Sequence, residues 1–237
     1  MRKHPFGRIA GGAAALAPAI RHYRGSHRQI HRDRDNLKLK LRYKGLLIMP
    51  TRITVYFGTN RQPQTNPAGD LIVGFGSDPG PVSGYAVRFG QASVDVDLPQ
   101  QKSVLVPGSL SVAPEILTPA PGAAPQFGSR TIFEAIRQSM STNGLPTLVF
   151  IHGFSNSFQD AIERAGWVSA FYAQGGFTAN IFVFTWPSRG GPLGVPLPYI
   201  DYEHDRSTAA TSGPAVGRTL RLLYDFVDGL ARLRNPT

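Results

Sequence analysis

The 237-residue sequence contains no cysteine, which excludes disulfides, thiolate metal sites and a cysteine nucleophile. No apolar run approaches the roughly 20 residues needed to span a bilayer as a helix. Charge is sparse at 17% of residues, and acidic side chains are the scarcer kind, 15 against 25 Lys+Arg. Histidine is almost missing from the body of the chain: His4, His22, His27 and His31 precede residue 49, leaving only His152 and His204. A metal centre built on several histidines is therefore not expected. What remains is 41% hydrophobic, enough for a packed core and too much for wholesale disorder.

The net charge of +10 sits in one place. Residues 1–48 hold 12 of the basic and 2 of the acidic side chains, so the other 189 residues are neutral overall. The global charge thus says nothing about a site in the body. The arm has three readings. Tyr23 and Tyr43 among its basic residues suit a nucleic-acid or anionic-surface tail, although no groove-reading motif is present. Arg2-Lys3 ahead of the weakly apolar Ile9–Ile20, whose Ala17-Pro18-Ala19 is like a cleavage site, resembles an export signal diluted by Gly11, Gly12 and Pro18. The favoured reading is a disordered extension ahead of Met49, because the arm lacks the apolar periodicity of a folded element. Residues 1–48 are accordingly taken as a basic arm and residues 49–237 as the domain.

Past Met49 the texture changes. Arg52–Gly58 is β-branched and aromatic, and predicts a strand. Leu71–Gly80 reads as a glycine-rich loop, and Val82–Leu98 as one or two strands. Pro99–Phe127 is rich in turn formers and reads as irregular, with a short strand at Val104–Val106. Ser129 is placed to cap a helix over Arg130–Met140, which Asn143-Gly144 ends. Leu145–Ile151 is a strand of the buried type. Ser157 and Asp160 form a capping box that opens a helix from Phe158 to about Ala173. Asn180–Thr185 is a second buried strand. After a Pro/Gly loop, Pro214 opens a last helix to about Leu233, with Val216, Leu220, Leu223, Val227 and Leu230 repeating along it. Alternating helices and strands predict an α/β fold on a parallel sheet.

The sharpest local signal is the end of the strand at His152-Gly153-Phe154. In parallel sheets, sites gather at the carboxyl ends of strands. Gly153 would let the backbone bend so that the Phe154 N–H points into a cleft, as an oxyanion donor does. Alone, the dipeptide reads equally as a chain turn with His152 satisfying a buried carbonyl.

Three segments together say more: Val55-Tyr-Phe-Gly-Thr-Asn60-Arg61, Leu148–Phe158, and Phe182-Val-Phe-Thr-Trp186-Pro187-Ser188-Arg189-Gly190. With Tyr202, Asp205, Arg206 and Ser212 after them, they resemble a bacterial family of α/β-hydrolases of unknown function. The resemblance runs over about Arg52–Leu233, and it departs at Ser155, where the family commonly has Asn. It implies a three-layer sandwich with a mostly parallel sheet, and a serine hydrolase of the esterase type acting on small-molecule esters or amides. It implies no cofactor, no metal and a cytoplasmic protein, with export as the alternative. Gly153 and Phe154 become the oxyanion turn beside His152, with Ser155, Asn156, Trp186 and Ser188 around the substrate pocket. Tyr202 and Asp205 become supports of the loop before a helix.

In that superfamily the nucleophile elbow Gly-x-Ser-x-Gly follows on the next strand, with the acid and histidine after it. No serine here has glycine both two before and two after it; Gly153-Phe-Ser155, for instance, continues Asn156-Ser157. The resemblance therefore implies the amino-terminal part of the fold, ending before the elbow strand, with the triad absent. Such a chain is expected to be inactive alone, with the edge of the His-Gly strand exposed. Two competing readings stay open: a non-catalytic interaction module, and anionic-surface or nucleic-acid binding through the arm.

Other clusters carry less. Asp201-Tyr-Glu203-His204-Asp205 would place three carboxylates on one face if extended, with His204 pointing away, which makes a poor metal site. Asp95 and Asp97 fit the solvent face of a strand whose other side is Val94 and Val96. Gly74-Phe-Gly76-Ser-Asp-Pro-Gly80 opens no helix and is not a dinucleotide fingerprint. Ser188 as a nucleophile has no neighbouring base in sequence.

Overall fold

The computed structural model describes residues 50–80, 87–116, 119–189 and 198–234. All lie in the unit Ile48–Thr237; the basic arm and its three readings fall outside the described residues. The elements run β1 (Thr51–Thr59), β2 (Arg61–Thr65), β3 (Ile72–Pro79), β4 (Arg88–Asp97), β5 (Lys102–Leu105), β6 (Ser111–Val112), α1 (Gly128–Asn143), β7 (Thr147–Ile151), α2 (Phe158–Gln174), β8 (Asn180–Thr185) and α3 (Pro198–Arg234).

The main sheet has the order β5-β4-β1-β8-β7, with β6 also on β4. β7, β8 and β1 are mutually parallel, and β4 to β6 are antiparallel. The sheet is thus mixed rather than mostly parallel. The connections explain this: parallel neighbours need crossover helices, which α1, α2 and their loops supply, whereas short links suffice among β4, β5 and β6.

Strand alternation sends side chains to both faces. Val55, Phe57, Val94, Val96, Ile181 and Val183 form one core with Phe158, Ile162 and Ala165 of α2. Tyr56, Phe89, Phe182, Phe184 and Trp186 form the other with Ile132, Phe133 and Ile136 of α1 and Ala215 of α3. The result is three layers, helix–sheet–helix. Gly166 lets α2 lie close to the sheet, since a Cβ there would come within 2.8 Å of Val94. Asp95 faces outward as expected and pairs with Arg52 on β1 at 2.8 Å.

Four expectations are corrected. Leu71–Gly80 is not a loop, because Ile72–Pro79 pairs with β2 as a separate two-stranded sheet. Ser129 lies inside α1 and does not cap it; the N-cap is Phe127, with no side-chain cap, and the Glu115 carboxylate accepts from the Gly128 N–H instead. Pro214 does not open the last helix, which begins at Pro198 and contains it. The apolar repeat marks the buried face of α3 only in part, since Val216 and Leu223 pack on the core. The positions most deeply buried are Asp205, Thr208, Ser212, Ala215 and Thr219, each 7% exposed or less, while Leu220 and Val227 are exposed. A stripe of small and polar residues leaves no hydrophobic period to read.

Ser157 caps α2 as predicted, with both halves of the Ser157–Asp160 capping box formed. Among the described residues no helix is long and apolar enough to cross a membrane. None of their His, Asp or Glu side chains are grouped to hold a metal ion.

Candidate functional site

Because β1, β8 and β7 are parallel, their carboxyl ends share one edge of the sheet, the edge where α/β folds place their sites. Three connections leave it: Asn60 to Arg61 after β1, Trp186 to Arg189 after β8, and His152 to Asn156 after β7. The first half of α3 lies against them through Asp205 and Ser212.

His152 is 2% exposed and both its ring nitrogens are in use. Nε2 accepts from the Trp186 N–H at 3.0 Å, so Nδ1 carries the proton and donates to the Gly153 carbonyl at 2.7 Å. The Trp186 indole N–H donates to the His152 carbonyl at 2.9 Å, and the two rings stack at 5.0 Å. Burial pushes the imidazole pKa down to about 4, and the positive Arg61 works in the same direction. His152 is therefore a neutral strut that joins the ends of β7 and β8, with no lone pair left for proton abstraction.

The turn proper is held from behind. Gly153 is not where it needs a glycine: its backbone lies outside the left-handed region, and an added Cβ would meet nothing within 4 Å. The left-handed residue is Ser155, at φ 56°. Its N–H donates to Asp205 Oδ2 at 3.0 Å. The Asn156 N–H donates to Ser188 Oγ at 3.0 Å. Its side-chain amide donates to the Gly153 and Phe154 carbonyls at 3.1 and 2.7 Å, which fixes the turn's curvature.

Two buried charges complete the brace. The Arg61 guanidinium is 1% exposed. It donates to Thr185 Oγ1 at 2.9 Å and to the carbonyls of Gly76 and Ser188 at 3.0 Å and Asn156 at 2.7 Å. Burial lowers its pKa to about 10, which leaves it cationic at neutral pH. Asp205, also 1% exposed, accepts from Ser188 Oγ at 2.5 Å and from the Arg189 N–H at 3.1 Å. Burial alone would raise the Asp205 pKa. The hydrogen bonds from Ser188, Ser155 and Arg189 outweigh it and hold the carboxyl below its ordinary range. Asn60 donates to Ser212 Oγ at 3.0 Å and ties β1 to α3.

All seven residues singled out from the sequence come together here, in two groups. His152, Asn156, Trp186 and Ser188 are buried and form the back of the turn. Gly153 and Phe154 are exposed, and Ser155 is half-buried. The Phe154 ring packs edge-on against Tyr202 with centroids 5.6 Å apart, and no acceptor for its N–H is found among the described residues. An open depression of about 640 Å³ borders Gly153 together with Phe150, Asp160 and Trp167.

Ser188 has a carboxylate on its hydroxyl, but as a buried lock rather than an accessible nucleophile. The Asp201–Asp205 segment is helical, not extended, so alternate residues do not share a face. The reach of Arg61 and the central place of Asp205 were not visible in sequence. Arg61 stood only as part of the Thr-Asn-Arg segment, and no local pattern marks an arginine as buried.

The helix–sheet–helix layering on a partly parallel sheet defines an α/β protein. Residues 131–227, from α1 through the turn and both connections into α3, match the family described as Alpha/beta hydrolase of unknown function (DUF900). That match supports an α/β-hydrolase family of unknown function for this chain. No curated protein and no solved structure matches it.

Proposed function

We propose that residues 49–237 supply the oxyanion half of a serine-hydrolase site for an ester or amide, within the amino-terminal part of a three-layer sandwich. The observation that carries this reading is the Phe154 N–H. It stands without an acceptor among the described residues, at the carboxyl end of β7, on a turn braced by two buried charges. A fixed donor of this kind stabilises the oxyanion of an acyl-transfer intermediate, and loss of one costs about 10²–10³ in kcat. On this reading nucleophile, base and acid come from outside these residues, as no Gly-x-Ser-x-Gly is present and both ring nitrogens of His152 are in use.

The test has two arms. The chain alone should neither hydrolyse p-nitrophenyl acetate nor be labelled by a fluorophosphonate probe; labelling at any serine would overturn the half-site reading. Co-expressed with the elbow-bearing segment of a family relative, it should gain ester hydrolysis that Phe154→Pro, lacking the N–H, abolishes. Activity equal in Phe154→Pro and the parent would sink the oxyanion role.

A second reading, an interaction module, rests on β7. It ends the sheet order, and its Val149 and Ile151 are 36% and 44% exposed, an open edge suited to strand addition.

A further inference from the structure

The turn after β7 and the connection after β8 point three donors at one place: the Ser155 N–H, the Arg189 N–H and the Ser188 hydroxyl. Left-handed and turn backbones that aim N–H groups inward make anion-binding concavities. Here that concavity is filled from within. The Asp205 carboxylate takes all three donors, bridging two loops that lie 32 residues apart at Asn156 and Ser188.

We propose that these two loops form an anion cradle whose resident anion is the Asp205 side chain, and that Asp205 is the positioning residue for the Phe154 N–H. Three observations support it. Ser155 is not glycine, yet it holds φ 56°, a conformation that a non-glycine residue keeps only when its surroundings impose it. Its N–H is fixed by Asp205 Oδ2, one residue beyond Phe154 in the chain. Asp205 sits on the buried side of α3, in line with Thr208, Ser212, Ala215 and Thr219. A carboxylate there is costly unless fully hydrogen-bonded, and all the donors that satisfy it belong to the two loops it holds.

The cradle also defines what fits it: a small planar carboxylate. The use of the Phe154 N–H as an oxyanion donor rests on the reading above, but the cradle does not, and its test needs no catalysis. In Asp205→Ala the turn should lose its fixed geometry. In ¹⁵N–¹H spectra of the full chain, the Phe154, Ser155 and Arg189 amides should shift, with that of Gly144, at the far end of α1, unmoved. Adding sodium formate should return the three signals toward their parental positions saturably; matched sodium chloride should not. Formate acting no better than chloride, or turn amides unmoved by the substitution, would overturn the proposal. Should Asp205→Ala fail to fold, Asp205→Asn decides. It keeps the shape but offers one acceptor oxygen, so the Ser155 and Arg189 signals should not both stay parental; if both do, the cradle is refuted.

Discussion

Ser188 hands its hydroxyl to Asp205 at 2.5 Å and its carbonyl to Arg61 at 3.0 Å. One serine thereby connects the buried anion and the buried cation of the site, which share no hydrogen bond of their own. Its Oγ also accepts from the Asn156 N–H, so the strand-end turn is tied to both charges through a single side chain.

Ser188→Ala should therefore cost more than its size suggests. It strips a donor from Asp205 and an acceptor from the Asn156 N–H, both in the protein interior. A buried group left without its partner costs about 1–3 kcal/mol. Urea unfolding should show a loss of this order with an unchanged slope, whereas a loss under about half a kcal/mol would mean that the hydroxyl is not a hub.

What the sequence made legible follows from range. β1 and β8 were readable because runs such as Val55-Tyr-Phe and Ile181-Phe-Val-Phe are buried on both faces. The start of α2 was readable because Ser157 and Asp160 are three residues apart. β3 was missed because Gly74 and Gly76 read as loop, and only pairing with β2 makes them strand. The first half of α3 was missed because its buried face is Asp205, Thr208 and Ser212. At the site, His152-Gly153-Phe154 was visible as a strand end. Its supports were not: Asp205 lies 50 residues from Ser155, and Arg61 lies 124 residues from Thr185. Local patterns carry no signal over such distances.

The left-handed backbone at Ser155 gives a prediction of opposite sign. A non-glycine L-residue in that conformation costs roughly 1–2 kcal/mol, while glycine and, to a lesser degree, asparagine adopt it readily. Asn is the residue that the resemblance leads one to expect at this position. Ser155→Gly and Ser155→Asn should raise the urea midpoint, and Ser155→Val should lower it. A midpoint raised by Val would contradict the assigned backbone.

Among the described residues nothing pairs with the outer edge of β7. Thr147–Ile151 has no charged residue, and edges of this kind template pairing with other chains. Ile151→Lys, at a side chain 44% exposed, should reduce concentration-dependent light scattering without lowering the thermal midpoint. Unchanged scattering would show that this edge is not where copies meet.

His152 and Asp205 together set the acid response. His152 has its pKa depressed from 6.5 to about 4. Between those values the unfolded chain binds a proton that the folded one refuses, so its contribution is complete above pH 6.5 and declines as pH falls toward 4. A depression of this size corresponds to about 3 kcal/mol. Asp205, held below its ordinary range, acts lower: its contribution is present above the unfolded carboxylate value of about 3.9 and is lost as pH falls through its folded value. The charge bearing on both is Arg61 on β2. Unfolding between pH 7 and 4.5 should thus show a progressive loss that His152→Asn, having no titrating ring, removes. Asp205→Asn should leave that upper limb in place and flatten only the fall below pH 4. An upper limb that survived in His152→Asn would mean the imidazole is not the group that burial holds neutral.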